Sequence, residues 1–403
     1  MASKAAPLPT SNEVPQQMGF DRLAEVLSSR ISKMRQKIYA PDARKQLRKF
    51  SSGEASKLLG ISDSHLRQLS IDGIGPQPEL GAGGKRLYSL ADINVLRQHF
   101  AGTRPKNALQ VFPRRRPGER LQVIACASFK GGSGKTTTSA TAAHYLALRG
   151  YRVLAIDLDP QGSMTAIFGI QPETDLGDNE SLYGAIRYDD DRRNIRDVIR
   201  ETYFEGIDLI PGAIELQEWE HEVPVAMQQR GTSPFFRRIA EVLAEVEDDY
   251  DIVVLDCPPQ LGFLTLSALT AATGVLIPVF PHMLDVMSLS AFLLMASDLL
   301  NVVEKRGGAF QRDWINFLIT RHNPNDATEV DIVSLLRSLF KQQVLTRPAV
   351  QSAAISSAGL FRRTIYEIDR ADVGRGTYDR ALESMNGVCE EIESLLTKSW
   401  GRT

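Results

Sequence analysis

A run of glycines, lysines and threonines at residues 130–137 carries the clearest chemical signal in the chain, with the sequence K-G-G-S-G-K-T-T. It follows an apolar stretch and opens a helical pattern, which is the context that a phosphate-binding P-loop requires. Glycines let backbone N–H groups turn inward around phosphate oxygens, and a helix N-terminus adds a positive dipole. The run therefore predicts an ATP site formed by Lys130, Gly131, Gly132, Ser133, Gly134, Lys135, Thr136 and Thr137.

Two side chains of this run have the clearest tasks. Lys135 is expected to reach the β- and γ-phosphates, and the Thr136 hydroxyl is expected to ligate Mg²⁺, a hard ion that prefers oxygen. The motif also departs from the usual P-loop pattern, because Phe129 stands where the first glycine would be and Lys130 is an additional lysine. If Lys130 were only exposed on the loop surface, it would crowd Lys135. We therefore interpret Lys130 as reaching phosphate across a dimer interface.

Acidic residues end two further apolar runs. Asp157 and Asp159 lie in L-A-I-D-L-D-P-Q-G at 154–162, and Asp256 lies in D-I-V-V-L-D-C-P-P at 251–259. Together with the P-loop, these runs resemble the motifs of the ParA/MinD group of deviant Walker ATPases. The layout is most similar to the RepA members of repABC plasmid cassettes. The resemblance covers about residues 20–400 and is most specific at the three ATPase motifs.

The resemblance implies a catalytic set of Lys130, Lys135 and Asp159. Lys130 would contact ATP bound by the partner subunit, and Asp159 would position or polarise the attacking water. Phosphoryl transfer needs mainly positioning and charge stabilisation, so a site completed by a lysine in trans would turn over only as a dimer.

The same resemblance implies a metal site and a switch. Asp157 would help to order the Mg²⁺ shell, and Asp256 would hold Mg²⁺ through water together with Thr136. Asp256 and Pro258 would also border the nucleotide. The plainer interpretation of these aspartates is that they are strand-end and capping carboxylates. The implied switch that senses the γ-phosphate consists of Pro258, Pro259 and Gly262.

Residues 49–104 are typical of a small DNA-binding domain. Ser51 or Ser52 can cap a helix that ends near Leu59, Gly60 makes a turn, and a second helix follows Ser62. This spacing matches a helix-turn-helix, whose second helix enters the major groove. A glycine-rich turn at 81–84 followed by K-R-L-Y is typical of a wing. The alternative is a generic helical domain. The expected DNA-binding residues are Ser62, Ser64, His65, Arg67, Gln68, Lys85 and Arg86.

Charge is distributed unevenly along the chain. Residues 1–120 contain 21 Lys and Arg against 10 Asp and Glu, a net charge of +11, whereas residues 121–403 contain 26 against 39, a net of −13. A basic N-terminal part favours contact with a polyanion such as DNA.

The motifs and the charge together divide the chain into four parts. These are an arm with a dimerisation helix (1–48), the helix-turn-helix domain (49–104), a basic linker (105–120) and an ATPase domain (121–403). The apolar stripe of the N-terminal helix comprises Phe20, Leu23, Leu27, Ile31, Met34 and Ile38. An equal alternative to dimerisation is that this helix packs within its own chain and exposes a basic face.

The fold class follows from alternating patterns after residue 121. Continuous apolar runs between helical patterns predict a doubly wound, mostly parallel sheet covered on both faces. A strand end at Pro278 leads into residues 281–285, which we expect near the nucleotide. By resemblance, Arg362 and Arg363 would bind nonspecific DNA, although a salt-bridged surface is an equal alternative. The predicted strands are 121–127, 152–156, 207–210, 252–255, 275–279 and 315–319.

Composition narrows the functional classes. Three distant cysteines argue against a disulfide framework and fit a reducing cytosol. No stretch approaches about 18 consecutive apolar residues, and the acidic C-terminal segment 389–396 would be repelled by an anionic membrane. We expect a cytoplasmic, nucleoid-associated partition ATPase that uses ATP and Mg²⁺, dimerises over ATP, binds operator and nonspecific DNA, and works with a ParB-like (RepB-like) centromere-binding partner. The alternatives are a repressor that uses ATP binding only as a switch, and a membrane-cycling ATPase like MinD.

Overall fold

The computed structural model describes residues 19–30 except 24 and 28, then 45–103, 108–229, 231–308 and 312–402. Its internal contacts divide the chain into two units, Met1–Arg44 and Lys45–Thr403. In the first unit, the described part of residues 20–30 is helical (α1), and Phe20, Leu23 and Leu27 are exposed. The rest of the predicted N-terminal stripe, Ile31, Met34 and Ile38, lies outside the described residues.

The second unit begins with a small domain in which both helices predicted from the capping serines are present, and a third helix follows them along the chain. Ser51 caps the first helix in a capping box with Glu54, and Gly60 ends it with φ +66°, a conformation that favours glycine. Ser62 caps the second helix. A short three-stranded antiparallel sheet with the order β1-β3-β2 packs beside them. The elements are β1 (Phe50–Ser51), α2 (Ser52–Leu59), α3 (Asp63–Ile71), β2 (Glu79–Leu80), β3 (Arg86–Tyr88), α4 (Leu90–Thr103) and α5 (Ala108–Val111).

The remainder forms a seven-stranded sheet with the order β10-β9-β4-β8-β5-β7-β6, parallel except where β6 pairs with β7. The predicted doubly wound fold is thus confirmed. All six predicted strands are present within a residue or two, and only the two-residue edge strand β6 was missed. The strands are β4 (Gln122–Cys126), β5 (Val153–Asp157), β6 (Arg200–Glu201), β7 (Ile207–Ile210), β8 (Ile252–Asp256), β9 (Gly274–Val279) and β10 (Trp314–Ile319).

Helices cover both faces of this sheet. Alternate residues along β8 enter two separate apolar clusters, Ile252 and Val254 in one and Val253 and Leu255 in the other. This alternation explains why the strands are apolar throughout. The helices are α6 (Lys135–Arg149), α7 (Ser163–Ile167), α8 (Pro172–Asp175), α9 (Leu182–Ile186), α10 (Ile195–Val198), α11 (Glu218–Ala226), α12 (Phe235–Ala244), α13 (Phe263–Ala271), α14 (Met283–Lys305), α15 (Ala327–Phe340), α16 (Ala353–Leu360), α17 (Arg370–Val373) and α18 (Arg375–Ser399).

Helix α14 is the one helix, within the described part of the chain, that is long and apolar enough to cross a membrane by length and composition alone. It connects β9 with β10, and it buries Leu289, Phe292 and Ala296. Met287 and Leu294 on its other side are exposed.

The segment predicted as a basic linker is held against the sheet domain. Arg114 donates from Nε to the carbonyl of Gly150 at 3.0 Å, and Arg402 donates to the carbonyl of Pro113 at 2.7 Å. The fully buried Arg97 of α4 donates to the carbonyls of Leu58 in α2 and Leu148 in α6. The small domain and the sheet domain therefore share one packed interface. The linker residues 105–107 lie outside the described residues.

Candidate nucleotide site and DNA-binding surface

The loop between β4 and α6 has the backbone shape expected of a phosphate cradle. Gly132 and Gly134 have φ values of +77° and +91°, which side-chain-bearing residues rarely adopt. The Thr320 hydroxyl, at the end of β10, donates to the carbonyl of Ser133 at 2.8 Å and fixes the loop from the neighbouring strand end. Because α6 starts at Lys135, its free N–H groups and positive dipole end face the loop.

The two lysines of the loop have different environments. Lys135 is buried, and its Nζ donates to the carbonyl of Lys130 at 3.1 Å, across the loop that would hold the phosphates. The Lys130 side chain is 42% exposed, and its ammonium pairs with the carboxylate of Asp285 at 2.6 Å. Asp285 lies in the first turn of α14 and its side chain is only 9% exposed. Lys130 is thus paired within its own chain.

Asp157 and Asp256 face each other at the carboxyl ends of two neighbouring strands. They are paired in register between β5 and β8, and both are fully buried. Burial raises the pKa of Asp157, and its hydrogen bonds partly offset this rise. Burial also raises the pKa of Asp256, and the negative charge of Asp157 raises it further. Two buried carboxylates at this spacing favour either a shared proton or a bound cation.

The oxygens of the two carboxylates are used differently. Asp157 Oδ1 accepts the N–H of Asp159 at 3.1 Å, and Oδ2 accepts both the N–H and the hydroxyl of Thr165 at 2.8 Å each. Asp157 therefore shapes the loop after β5. Asp256 Oδ1 accepts the Ser139 hydroxyl at 3.1 Å, whereas its buried Oδ2 has no hydrogen-bond partner among the described residues.

The unsatisfied oxygen of Asp256 fits a hard cation. A buried carboxylate oxygen without a donor is costly unless a cation or water completes it. The hydroxyl of Thr136 lies against the same carboxylate and tends to lower its pKa. Hydroxyl and carboxylate oxygens are the ligands that Mg²⁺ prefers. Thr136 and Asp256 therefore fit the predicted magnesium site, while the oxygens of Asp157 are already engaged by the loop.

Asp159 lies on the loop after β5, at the edge of a cleft. Its carboxylate is half-buried and accepts the N–H of Gln161 at 3.0 Å. Asp159 lines a cleft of about 380 Å³ together with Pro258, Pro259 and residues of α11. The loop after β5 and the predicted switch therefore line the same cleft, at the carboxyl ends of the strands β5 and β8.

The predicted DNA-reading residues of the small domain lie on one helix and one hairpin. Ser64, Arg67 and Gln68 are exposed on α3, and Lys85 is exposed before β3. The guanidinium of Arg86 donates to the carbonyl of Arg67 at 3.4 Å, which joins the hairpin to α3.

The other predicted residues of this surface already have contacts within the domain. The Ser62 hydroxyl caps α3 by accepting the N–H of His65 at 3.2 Å. The His65 ring lies 5.8 Å from that of Phe100. Gln68 donates to Asp72 at 2.8 Å.

Arg362 and Arg363 follow α16 and lie beside Lys45. Lys45 donates to the carbonyl of Arg362 at 2.7 Å and pairs with Glu367 at 2.7 Å. Burial lowers the pKa of Lys45, and the charges of Arg362 and Arg363 contribute to this lowering. Arg363 is exposed and Arg362 is half-buried. Glu367 neutralises the charge of Lys45, which leaves Arg362 and Arg363 as the other basic side chains of this surface.

The fold and the site together define a P-loop nucleotide-binding protein. A family model described as an AAA domain matches residues 121–305. The putative replication protein A of Rhizobium rhizogenes is 50% identical over 385 residues, which is 95% of each chain. Protein SopA of Escherichia coli strain K12 is 30% identical over 369 residues, covering 89% of this chain and 91% of SopA.

The chain belongs to the ParA family of partition ATPases, as the sequence motifs predicted. A solved structure described as a partition protein aligns with 93% of this chain and 98% of its own, with a TM-score of 0.64 and 19% identity, and its fold is similar.

Proposed function

We propose that this protein is an ATP-hydrolysing DNA-partition protein that dimerises over Mg²⁺-ATP and also represses its own operon. The observation that carries the proposal is the buried Asp256 carboxylate beside the P-loop, whose Oδ2 has no hydrogen-bond partner among the described residues, with Asp159 on the adjoining cleft. A protein that only bound nucleotide would need neither Asp159 nor a second loop lysine.

The residues of the candidate nucleotide site divide the work of hydrolysis. The P-loop N–H groups and Lys135 bind the phosphates, and Thr136 and Asp256 would hold Mg²⁺, which neutralises charge that develops on the phosphate oxygens. Asp159 accepts a hydrogen bond from the attacking water and orients it toward the γ-phosphorus. Transfer of the phosphoryl group to water gives ADP and phosphate.

Lys130 makes turnover depend on dimerisation. It would leave Asp285 and contact the phosphates bound by the second subunit, so that two nucleotides lie between two protomers. The exposure of the Lys130 side chain supports this role, because its ammonium can leave the protomer surface without opening the core.

DNA and a partner complete the proposed cycle. Arg362 and Arg363, with Lys45 beside them, would bind DNA phosphates without sequence preference in the ATP dimer. A ParB-like centromere-binding protein would stimulate hydrolysis and release the dimer from nucleoid DNA in the cytoplasm. Arg67 and Gln68 on α3 would read operator bases in the major groove, and Lys85 would contact phosphate.

A second candidate is a repressor that uses ATP binding only as a conformational switch. The contact of Arg97 with both α2 and α6 favours it, because α6 begins at the P-loop. Nucleotide binding at one end of α6 could thus alter operator binding without hydrolysis.

ATP hydrolysis by the purified protein distinguishes the two candidates. We would measure it with the protein alone, with nonspecific DNA, and with DNA plus a candidate ParB-like protein. Synergistic stimulation by DNA and partner together is the expected result. Nucleotide binding without turnover in every condition would support the ATP-gated repressor instead.

A further inference from the structure

The start of α13 is capped by a side chain from another helix. Glu220 of α11 accepts the N–H of Phe263 at 2.9 Å and the N–H of Leu264 at 3.0 Å. The residue at the cap position is Gly262, which has no side chain to cap the helix. The first N–H groups of a helix lack partners within the helix, so Glu220 supplies what the local sequence lacks.

Gly262 makes this contact possible. Its backbone is extended, with φ −92° and ψ −173°, so the conformation itself does not require glycine. A Cβ at this position would lie 2.4 Å from Glu220 Oε1. A side chain at this position would therefore displace the Glu220 carboxylate from the cap.

Helix α11 is a firm anchor for Glu220. The preceding residue, Trp219, is fully buried and stacks on Tyr188 with 5.3 Å between the ring centroids and 5° between the planes. Glu222 accepts the N–H of Tyr188 at 2.8 Å. Side chains on both sides of Glu220 thus tie α11 to the segment after α9.

Glu220 also borders the cleft of the proposed reaction. It lines the same cavity of about 380 Å³ as Asp159 and Pro258. Residues 258–262 connect the strand-end Asp256 to α13. One end of this segment therefore meets the nucleotide site, and the other end is attached to Glu220.

We propose that Glu220 is a positioning residue that fixes the α13 end of the switch segment 258–262, so that contact with the γ-phosphate rearranges only the end near Pro258. The inference rests on the proposed ATP hydrolysis. Without this anchor, the first turn of α13 loses its cap, and the segment samples conformations that do not line up with Asp159. Nucleotide affinity, which depends on the P-loop, stays the same.

The test compares Glu220→Ala and Glu220→Gln with Glu218→Ala, an exposed acidic residue in the same turn of α11. For Glu220→Ala we expect kcat to fall about tenfold, as loss of a charged cap implies, with KM and the Kd for ADP within about twofold of the parent protein. Glu220→Gln keeps one acceptor oxygen and should recover part of kcat, and Glu218→Ala should match the parent. Unchanged kcat in a folded Glu220→Ala protein would overturn the proposal.

A second measurement separates this inference from the proposed function. Hydrogen–deuterium exchange should show the amides of Phe263 and Leu264 protected in the parent protein and fast in Glu220→Ala, with ATP-dependent protection of the amides of residues 260–262 reduced. If the parent protein hydrolyses no ATP, the proposed function fails, and the exchange result alone decides whether Glu220 holds the segment. Slow exchange of these amides in Glu220→Ala would refute the anchor whatever the turnover.

Discussion

Replacing Asp285 by alanine is expected to strengthen ATP-dependent dimerisation. Lys130 now pairs with Asp285 at 2.6 Å within one protomer, and it must leave this partner to reach nucleotide on a second subunit. Because Lys130 is 42% exposed, the pair is worth about 1 kcal/mol per subunit rather than the larger value of a buried pair. A symmetric dimer breaks two such pairs, so the variant should gain about 2 kcal/mol, or about thirtyfold in dimer dissociation constant.

The assay is sedimentation velocity over a protein concentration series with a slowly hydrolysed ATP analogue. Asp298→Ala is the matched control, because Asp298 is an exposed carboxylate on the same helix. Asp285 also lies in the first turn of α14, where a negative charge stabilises the helix by about 0.5 kcal/mol, so the melting temperature should fall slightly. Lys130→Ala should abolish dimerisation in both backgrounds.

An unchanged or weaker dimer in a folded Asp285→Ala protein would refute this reasoning. It would mean that the cis pair does not restrain Lys130, or that Asp285 contributes to the dimer itself. A gain equal to that of Asp298→Ala would instead indicate a general charge effect.

Four further outcomes are expected. Lys135→Ala should abolish nucleotide binding, measured with a fluorescent ATP analogue. Asp159→Ala should keep ATP-dependent dimers but lose turnover, and normal phosphate release by that variant would remove its role in positioning water. Burial and the neighbouring carboxylate raise the pKa of Asp256, so the native state keeps a proton that the unfolded chain has lost. The free energy of unfolding therefore falls as the pH rises from about 4 toward 8. Asp256→Asn should flatten this pH dependence, measured as the melting temperature of the nucleotide-free protein. Arg67→Ala should relax operator sequence preference, whereas Lys85→Ala should weaken binding to all sequences about equally, as mobility-shift titrations against operator and scrambled DNA would show.

The fold was predictable because its signals are local. Six strands each appear as an apolar run of four to seven residues, and capping serines mark the helices of the small domain. The strand β6 was missed because Arg200 and Glu201 are two polar residues that pair at the sheet edge, where no apolar pattern is needed.

The site was predictable where its residues are contiguous. The P-loop, Asp159 and Asp256 are recognisable from short motifs, but the contacts that restrain them are not. Lys130 and Asp285 are separated by 155 residues, and Glu220 and Phe263 by 43. The sequence predicted Asp285 only as one residue of the segment 281–285, which was expected near the nucleotide. A pairing across such distances depends on the sheet order, which brings the ends of β4 and β9 together.

The packing of Arg97 bears on how the two proposed activities are connected. Its guanidinium is fully buried, and burial together with the nearby charge of Arg149 lowers its pKa to about 9. Such a group is stable only while its carbonyl partners on α2 and α6 stay in place. Helix α6 runs about 22 Å from Lys135 to Arg149, so a tilt imposed at the P-loop moves the Arg97 contact as well. Because α2 packs directly against α3, the proposed operator-reading helix α3 would follow that movement. The rigid helix α6 would then connect nucleotide state with operator affinity whether or not ATP is hydrolysed.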